Sequence, residues 1–354
     1  MLNKKFFKED LFTIETNIGF QWINFLLSKD IEHLVNKYYL GEIISLRKIN
    51  KKSKTSNIFL LETQKGEYIL RSSKLKLHNK NEFLCCISNQ IKNINFISPL
   101  KNDEECYATE IGSNSWIIYP KIKGDIFNGS NCSLSKLINY GMKFFKELEI
   151  IETFKPLESK KILGINLIEK NKLKSLSKIL LNNKKIENLR TLNFIKSSTT
   201  KYLIENKSLI HELFCKIDSI ELSSINLVHN DLQHANIIIN NEFINFIDLE
   251  DIIWSNKKVA FCHFIFKNLR HIIYSNNLLF EKEISKYLET IMSSIYNSDI
   301  GINSSAEFFE YSFIKIFSDL SLITESYYLN NDPKFMYDLE KKIHNLFELI
   351  YLFY

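Results

Sequence analysis

Between positions 225 and 251 short runs of Ile, Leu, Val and Phe enclose a dense group of polar residues, and this alternation leaves the chain few ways to fold. The run Leu227-Val228 leads into His229-Asn230-Asp231-Leu232-Gln233-His234-Ala235-Asn236, and Phe246-Ile247 leads into Asp248-Leu249-Glu250-Asp251. The apolar runs demand burial as short strands around tight turns, and Asn240-Asn241 has the composition of a hairpin turn between two of them. Acids, amides and imidazoles on such a base cost free energy unless they satisfy each other, a metal or a ligand.

The rest of the chain divides around this segment. Apolar positions at helical spacing (Phe12, Ile18, Phe20, Ile23, Phe25, Leu26), followed by the segment 31–40, predict an N-terminal helical extension over residues 1–40. From Ile43 the period shortens: 42–49, 57–63 and 67–73 read as three antiparallel strands, the last two joined at Gln64-Lys65-Gly66. A helix is expected over 81–90, then strands near 106–110 and 116–119. Beyond Gly124 the pattern is mainly helical, clearest in 134–151 and 208–222, with helical patterning resuming from Phe280 to the C-terminus. The expected class is α+β: a small sheet lobe over 41–120 and a larger, mainly helical lobe over 121–354.

Composition narrows the functional classes. The 354 residues are 45% apolar and 25% charged with a net charge of +5, a globular balance without the concentrated basic stripe of a nucleic-acid protein. The lysines at 160, 161, 170, 172, 174 and 178 alternate with Leu and Ile as on an exposed helix face. Cys85, Cys86, Cys106, Cys132, Cys215 and Cys262 lack any CxxC spacing, and no secretory signal is evident, so a cytoplasmic chain is expected. No segment approaches the roughly 20 apolar residues of a membrane span.

The spacing within the polar segment points to phosphoryl transfer. That chemistry needs a carboxylate to orient the attacking hydroxyl and hard oxygen ligands for Mg²⁺ on the nucleotide phosphates. An Asp, four residues, an Asn, then a hairpin and a second Asp is the arrangement of kinase catalytic and metal-binding loops, and Asp231, Asn236 and Asp248 reproduce it. Two blander readings stand beside it. Asp231 and Asn236 have the residue types of turn caps, and His229, Asp231 and His234 those of a transition-metal site.

The residues His229-Asn230-Asp231-Leu232-Gln233 with Asn236, and Ile247-Asp248-Leu249-Glu250, resemble the HNDLxxxN and IDxE patterns of the choline/ethanolamine kinase branch of the aminoglycoside-phosphotransferase-like superfamily. The resemblance implies a two-lobed protein-kinase-like fold with ATP and magnesium as cofactors. It implies Asp231 as catalytic base, His229 shaping its loop, and Asn236 and Asp248 as metal ligands. It further implies a phosphate loop at Lys54-Thr55-Ser56-Asn57, with Ser56 and Asn57 as nucleotide contacts, and Arg71 on the phosphates with Glu82 as its ion-pair partner. Adenine would meet the hinge from Tyr119 to Ile122. Two departures stand out: the glycines usual before the phosphate loop are missing, and Ala260 stands where relatives carry an Asp.

The expected partner is a small-molecule alcohol, with choline or ethanolamine implied foremost and amino sugars, other sugars, aminoglycosides or homoserine as alternatives. A non-catalytic nucleotide-binding relative is the reading from a different class. Gln233, Glu250, Asp251 and Trp254 are the candidate substrate residues. Glu310, Tyr311 and Glu325 from the C-terminal helices are further candidates for a box around a cationic head group.

Overall fold

A computed structural model of the chain describes residues 22–24, 29–49, 56–73, 78–90, 98–111, 114–154, 156–240, 243–275, 281–296, 298–330, 336 and 338–353. The small lobe is a six-stranded sheet in the order β1-β2-β3-β4-β6-β5, built from β1 (Trp22–Asn24), β2 (Ile43–Ile49), β3 (Ser56–Thr63), β4 (Gly66–Ser73), β5 (Thr109–Ile111) and β6 (Asn114–Pro120). Every neighbouring pair is antiparallel, and the two-residue connection Gln64-Lys65 closes the β3–β4 hairpin at Thr63 opposite Gly66. Alternation places Phe59 and Leu61 of β3, Leu70 of β4 and Ile118 of β6 in one core, where they pack on Leu34 and Val35 of α1 (Lys29–Lys37).

The N-terminal extension departs from the helical expectation. Trp22–Asn24 is a strand whose residues pair with Ile49, Lys48 and Arg47 of β2, so cross-strand hydrogen bonding prevails there over the local 3.6-residue spacing. Phe12, Ile18, Phe20, Phe25 and Leu26 lie outside the described residues.

The helix α2 (His78–Gln90) follows the third central strand and joins both lobes. It contacts the turn Leu249–Asp251 and α4 (Pro156–Leu163), and its Phe83 and Leu84 belong to the continuous core of the large lobe. Beyond β6 the chain crosses into the large lobe through Gly124. There φ is +138°, and a Cβ would lie 2.4 Å from the carbonyl oxygen of Ile239, so only glycine fits this approach. The next residues form β7 (Asp125–Ile126), which pairs with β9 (Ile237–Asn240). β9 in turn pairs with β10 (Phe243–Phe246).

The large lobe is helical: α3 (Leu134–Phe154), α4, α5 (Lys170–Leu180), α6 (Asn183–Thr191), α7 (Ser197–Glu205), α8 (Lys207–Asp218), α9 (Lys257–Ser275), α10 (Glu281–Ile295), α11 (Ser305–Asn330) and α12 (Leu339–Phe353). The sequence gives no helical signal over α9 because the helix is buried nearly all round from Val259 to Ile273, which erases the amphipathic period. Ala260 lies in its first turn, and its amide donates to the Asn256 carbonyl at 3.1 Å.

Gly141 of α3 lets α9 approach, because a Cβ there would stand 2.4 Å from the Phe264 ring. In an exposed helix Gly→Ala stabilises by about 1 kcal/mol. Here overpacking reverses the sign, and Gly141→Ala is expected to destabilise the fold by about 1–2 kcal/mol, measured as a lower urea midpoint at unchanged m.

Candidate active site

The polar segment is held together by backbone before any side chain acts. Its first strand, β8 (Asn226–His229), pairs antiparallel with β11 (Ile252–Ser255), His229 opposite Ile252. Just beyond, the Asn230 amide donates to the Asp251 carbonyl at 2.9 Å. At the other end of the loop the Ile247 amide donates to the Asn236 carbonyl, also at 2.9 Å. The neighbours of Asp231 and Asp248 are thus joined across the segment, and Asn236 itself is one of the tied residues.

Side chains refine this frame. Asn236, 2% exposed, donates through Nδ2 to the Asp231 carbonyl at 2.8 Å, which commits its nitrogen and leaves its oxygen as the donor for a cation. Gln233 Nε2 donates to Asp231 Oδ2 at 3.1 Å, so this candidate substrate residue orients the carboxylate. His229 is fully buried. Its Nε2 lies 3.2 Å from the Ile247 carbonyl, an acceptor, so Nε2 carries the proton. Burial pushes its pKa down against the pull of Asp248 and Asp231, so the ring that holds the Ile247 carbonyl is neutral. His234 stacks flat on His271 of α9, centroids 3.7 Å apart and 2° from parallel.

Asp248 adopts the left-handed conformation, φ 65° and ψ 46°, a strain that Asp tolerates better than most residues and that swings the chain sharply between β10 and the turn Leu249–Asp251. Its Oδ1 meets Arg71 Nη1 of β4 at 2.5 Å, and Arg71 Nη2 meets Glu250 Oε2 at 2.7 Å. Burial works against the guanidinium charge, but Asp248 and Glu250 outweigh it and raise the Arg71 pKa. The expected Arg71–Glu82 pair is therefore replaced by a clasp between lobes, with Glu82 exposed on α2. Lys80, which the sequence reading passed over, reaches from α2 to the Glu250 carbonyl. Burial lowers its pKa while Asp251, Glu250 and Asp248 pull it back up. The only sequence signal for Lys80 is its place near the start of α2, two residues before the expected partner.

Other expected contacts fall differently. Ser56 and Asn57 open β3 opposite Ser73 and Ser72, and the remainder of the expected phosphate loop, 51–55, lies outside the described residues. Tyr119 is within electrostatic reach of Arg71 and Glu250, at the cleft, and burial pushes its hydroxyl pKa far up. In the hinge the Lys121 amide donates to the Glu67 carbonyl at 3.1 Å, continuing the β6–β4 pairing, and Ile122 is half-buried just beyond. Trp254 is not a substrate wall: it is 2% exposed, with Nε1 donating to Ser159 Oγ at 3.1 Å. Glu325 pairs with Lys172 at 3.4 Å, and Lys258 covers the Tyr311 ring at 5.3 Å, while Glu310 lies on the same helix with a pKa raised by burial. The aromatic and acidic box expected for a cationic head group is not assembled by these residues.

Asn236 and Asp248 supply one amide and one carboxylate oxygen, a hard but incomplete set of the kind that nucleotide phosphates and water complete around Mg²⁺. Among the described residues no group of three or more His, Cys, Asp or Glu could hold a metal by itself, which disfavours the transition-metal reading of His229, Asp231 and His234.

No protein-family model matches the sequence, and no curated protein matches it. Solved structures do. A spectinomycin phosphotransferase in complex with ADP and spectinomycin superposes with a TM-score of 0.63 at 15% identity, over 92% of this chain and 99% of that one. The chain has the fold of that enzyme. An aminoglycoside phosphotransferase from Alicyclobacillus acidocaldarius gives 0.58 at 12% identity, over 93% and 96%. An amicoumacin kinase in complex with AMP-PNP, Ca²⁺ and its ligand gives 0.55 at 15% identity, over 90% and 93%. The small antiparallel lobe and larger helical lobe expected from sequence are both present.

Asp251 makes the acidity of this site measurable. Burial, then Asp248 and Asp231, raise its pKa from 3.8 to about 7. The folded state therefore holds a proton that the unfolded chain releases, so stability falls as pH rises from about 4 to about 7 and is level above. In nucleotide- and metal-free protein, Asp251→Asn is expected to remove that slope and to be more stable than the parent at pH 8 by at least about 1 kcal/mol. Urea unfolding of both proteins at pH 5 and pH 8 measures it.

Proposed function

We propose that this chain is an ATP- and magnesium-dependent phosphotransferase that phosphorylates a hydroxyl group of a small molecule. The observation that carries the reading is the backbone tie that gathers Asp231, Asn236 and Asp248 at the seam between the lobes, with Arg71 of the small lobe reaching Asp248. The likeness in fold to small-molecule phosphotransferases supports it.

Asp231, oriented by Gln233, receives the acceptor hydroxyl and takes its proton as the oxygen bonds to the terminal phosphorus and the bridging P–O bond breaks to release ADP. Asn236 and Asp248 would hold magnesium, which would supply neutralisation of phosphate charge. Arg71, already charged and already at Asp248, is placed to give its guanidinium to the phosphates once that carboxylate is engaged by a metal. Adenine lies against the hinge from Tyr119 to Ile122. His229 stays neutral and keeps the Ile247 carbonyl, and with it Asp248, in place. The catalytic-loop resemblance by itself leaves the acceptor open among amine alcohols such as choline or ethanolamine, amino sugars, other sugars, aminoglycosides and homoserine.

A nucleotide-binding protein without catalysis is the competing reading, favoured by Arg71 sitting on the very carboxylate a metal needs. Turnover separates the two. Asp231→Ala is expected to lower kcat by about 10³-fold or more while leaving ATP affinity within about threefold, and EDTA is expected to abolish turnover reversibly. ADP release measured with an alcohol panel tests both, and ATP binding without stimulation by any alcohol would establish the non-catalytic reading.

A further inference from the structure

Where α9 meets the catalytic loop, the large lobe presents cations. Phe264, Lys267, Asn268 and His271 share one face of α9, and that face meets the catalytic loop: Asn268 Nδ2 donates to the Leu232 carbonyl at 3.2 Å, and His271 stacks on His234. Lys267 is 8% exposed, and no described residue gives it an ion pair or a hydrogen bond. Its electrostatic neighbours are Lys342, Arg270, Asp231, Lys341 and His263.

These groups do not cancel. Arg270 is satisfied by Glu348, Nη2 to Oε1 at 3.1 Å with Tyr274 sharing the carboxylate. Asp319 of α11 is shared by Lys315 at 2.6 Å and Lys342 of α12 at 2.5 Å. Burial alone would raise the Asp319 pKa, and these two lysines hold it well down instead. Of the lysines in this region, Lys267 and Lys342 are within electrostatic reach of Asp231, and Lys342 shares its one carboxylate, Asp319, with Lys315. Asp231 acts on Asp251, which Asp248 and Arg71 also reach, and it acts on Lys267 and Lys342.

Resting on the phosphotransferase reading above, we infer that the acceptor alcohol carries an anionic group, a carboxylate or a phosphate, which Lys267 and Lys342 bind while its hydroxyl faces Asp231. A buried ammonium without a partner is unfavourable, and an anion relieves it at once by charge and by hydrogen bonding. A quaternary ammonium or polyamine would meet like charge in the same place. Burial together with Lys342 and Arg270 lowers Lys267 to about pKa 7, so an arriving anion draws a proton onto it.

The test separates this inference from the reading it rests on, because its first arm needs no chemistry. Glycerate, glycerol 3-phosphate, glycerol and choline are titrated calorimetrically into nucleotide-free protein at pH 8 in two buffers of different ionisation enthalpy. Glycerate or glycerol 3-phosphate is expected to bind with proton uptake, at least about tenfold more tightly than glycerol or choline. Lys267→Met replaces a buried, poorly solvated amine by an apolar side chain of similar length, so the variant is expected to fold at least as stably as the parent, to lose the proton uptake and to lose about tenfold in anion affinity. In the second arm, ADP release with Mg-ATP is expected to follow the same order of acceptors, with Lys267→Met raising KM more than it lowers kcat. Tighter binding of choline, absence of binding by both anions, or an unchanged Lys267→Met variant would overturn the anionic acceptor. Asp231-dependent ADP release with a neutral or cationic alcohol would leave the phosphotransferase standing without it.

Discussion

Two backbone hydrogen bonds, Asn230 to Asp251 and Ile247 to Asn236, are the constraint on which this site depends. A loop dense in acids and amides has many conformations of similar energy, and ordering it costs entropy at every residue. Closing it at both ends onto strands with buried Leu227, Val228, Ile237 and Ile252 transfers that cost to the hydrophobic core. The carboxylates at 231 and 248 are then close enough for each to act on His229 and Asp251, a placement their mutual repulsion would oppose in a freer chain.

That arrangement was legible in the sequence to the extent that it rests on local pattern. Strands β2 to β4, the helix after them and the polar hairpin follow from alternation and turn chemistry, and the spacing of Asp231, Asn236 and Asp248 follows from residue order. What escaped was decided by partners far away in sequence. Arg71 was expected to pair with Glu82, eleven positions on, and instead reaches Asp248 and Glu250. Trp254, read as a wall of the substrate site, follows the metal-binding segment closely in sequence, yet the alternation of β11 turns its ring inward to Ser159. The strand Trp22–Asn24 exists because β2 offers an edge.

The helix α9 shows the same limit in another form. Periodicity detects a helix by the contrast between a wet face and a dry one, and α9 has almost no wet face. Its Lys267, Arg270 and His263 look like surface residues in a sequence, where charge usually signals solvent. Folding instead gives Arg270 the carboxylate of Glu348, leaves His263 neutral through burial, and gives Lys267 no counter-ion among the described residues. The cationic character of the region beside Asp231 is thus a property of the packing of α9, α11 and α12, and no short motif records it.

The packing of α2 redraws the mechanical division of the molecule. By chain order this helix belongs to the small lobe, but Phe83 and Leu84 are part of the core of the large one. The plane between the two hydrophobic cores therefore runs between α2 and the six-stranded sheet. Arg71 and Lys80, nine positions apart in sequence, sit on opposite banks of it, one fixed to the sheet and the other to the helical body. Breathing along that plane would unfasten the guanidinium from Asp248 while Lys80 kept its hold on the Glu250 carbonyl, so one clasp works as a latch and the other as a hinge pin.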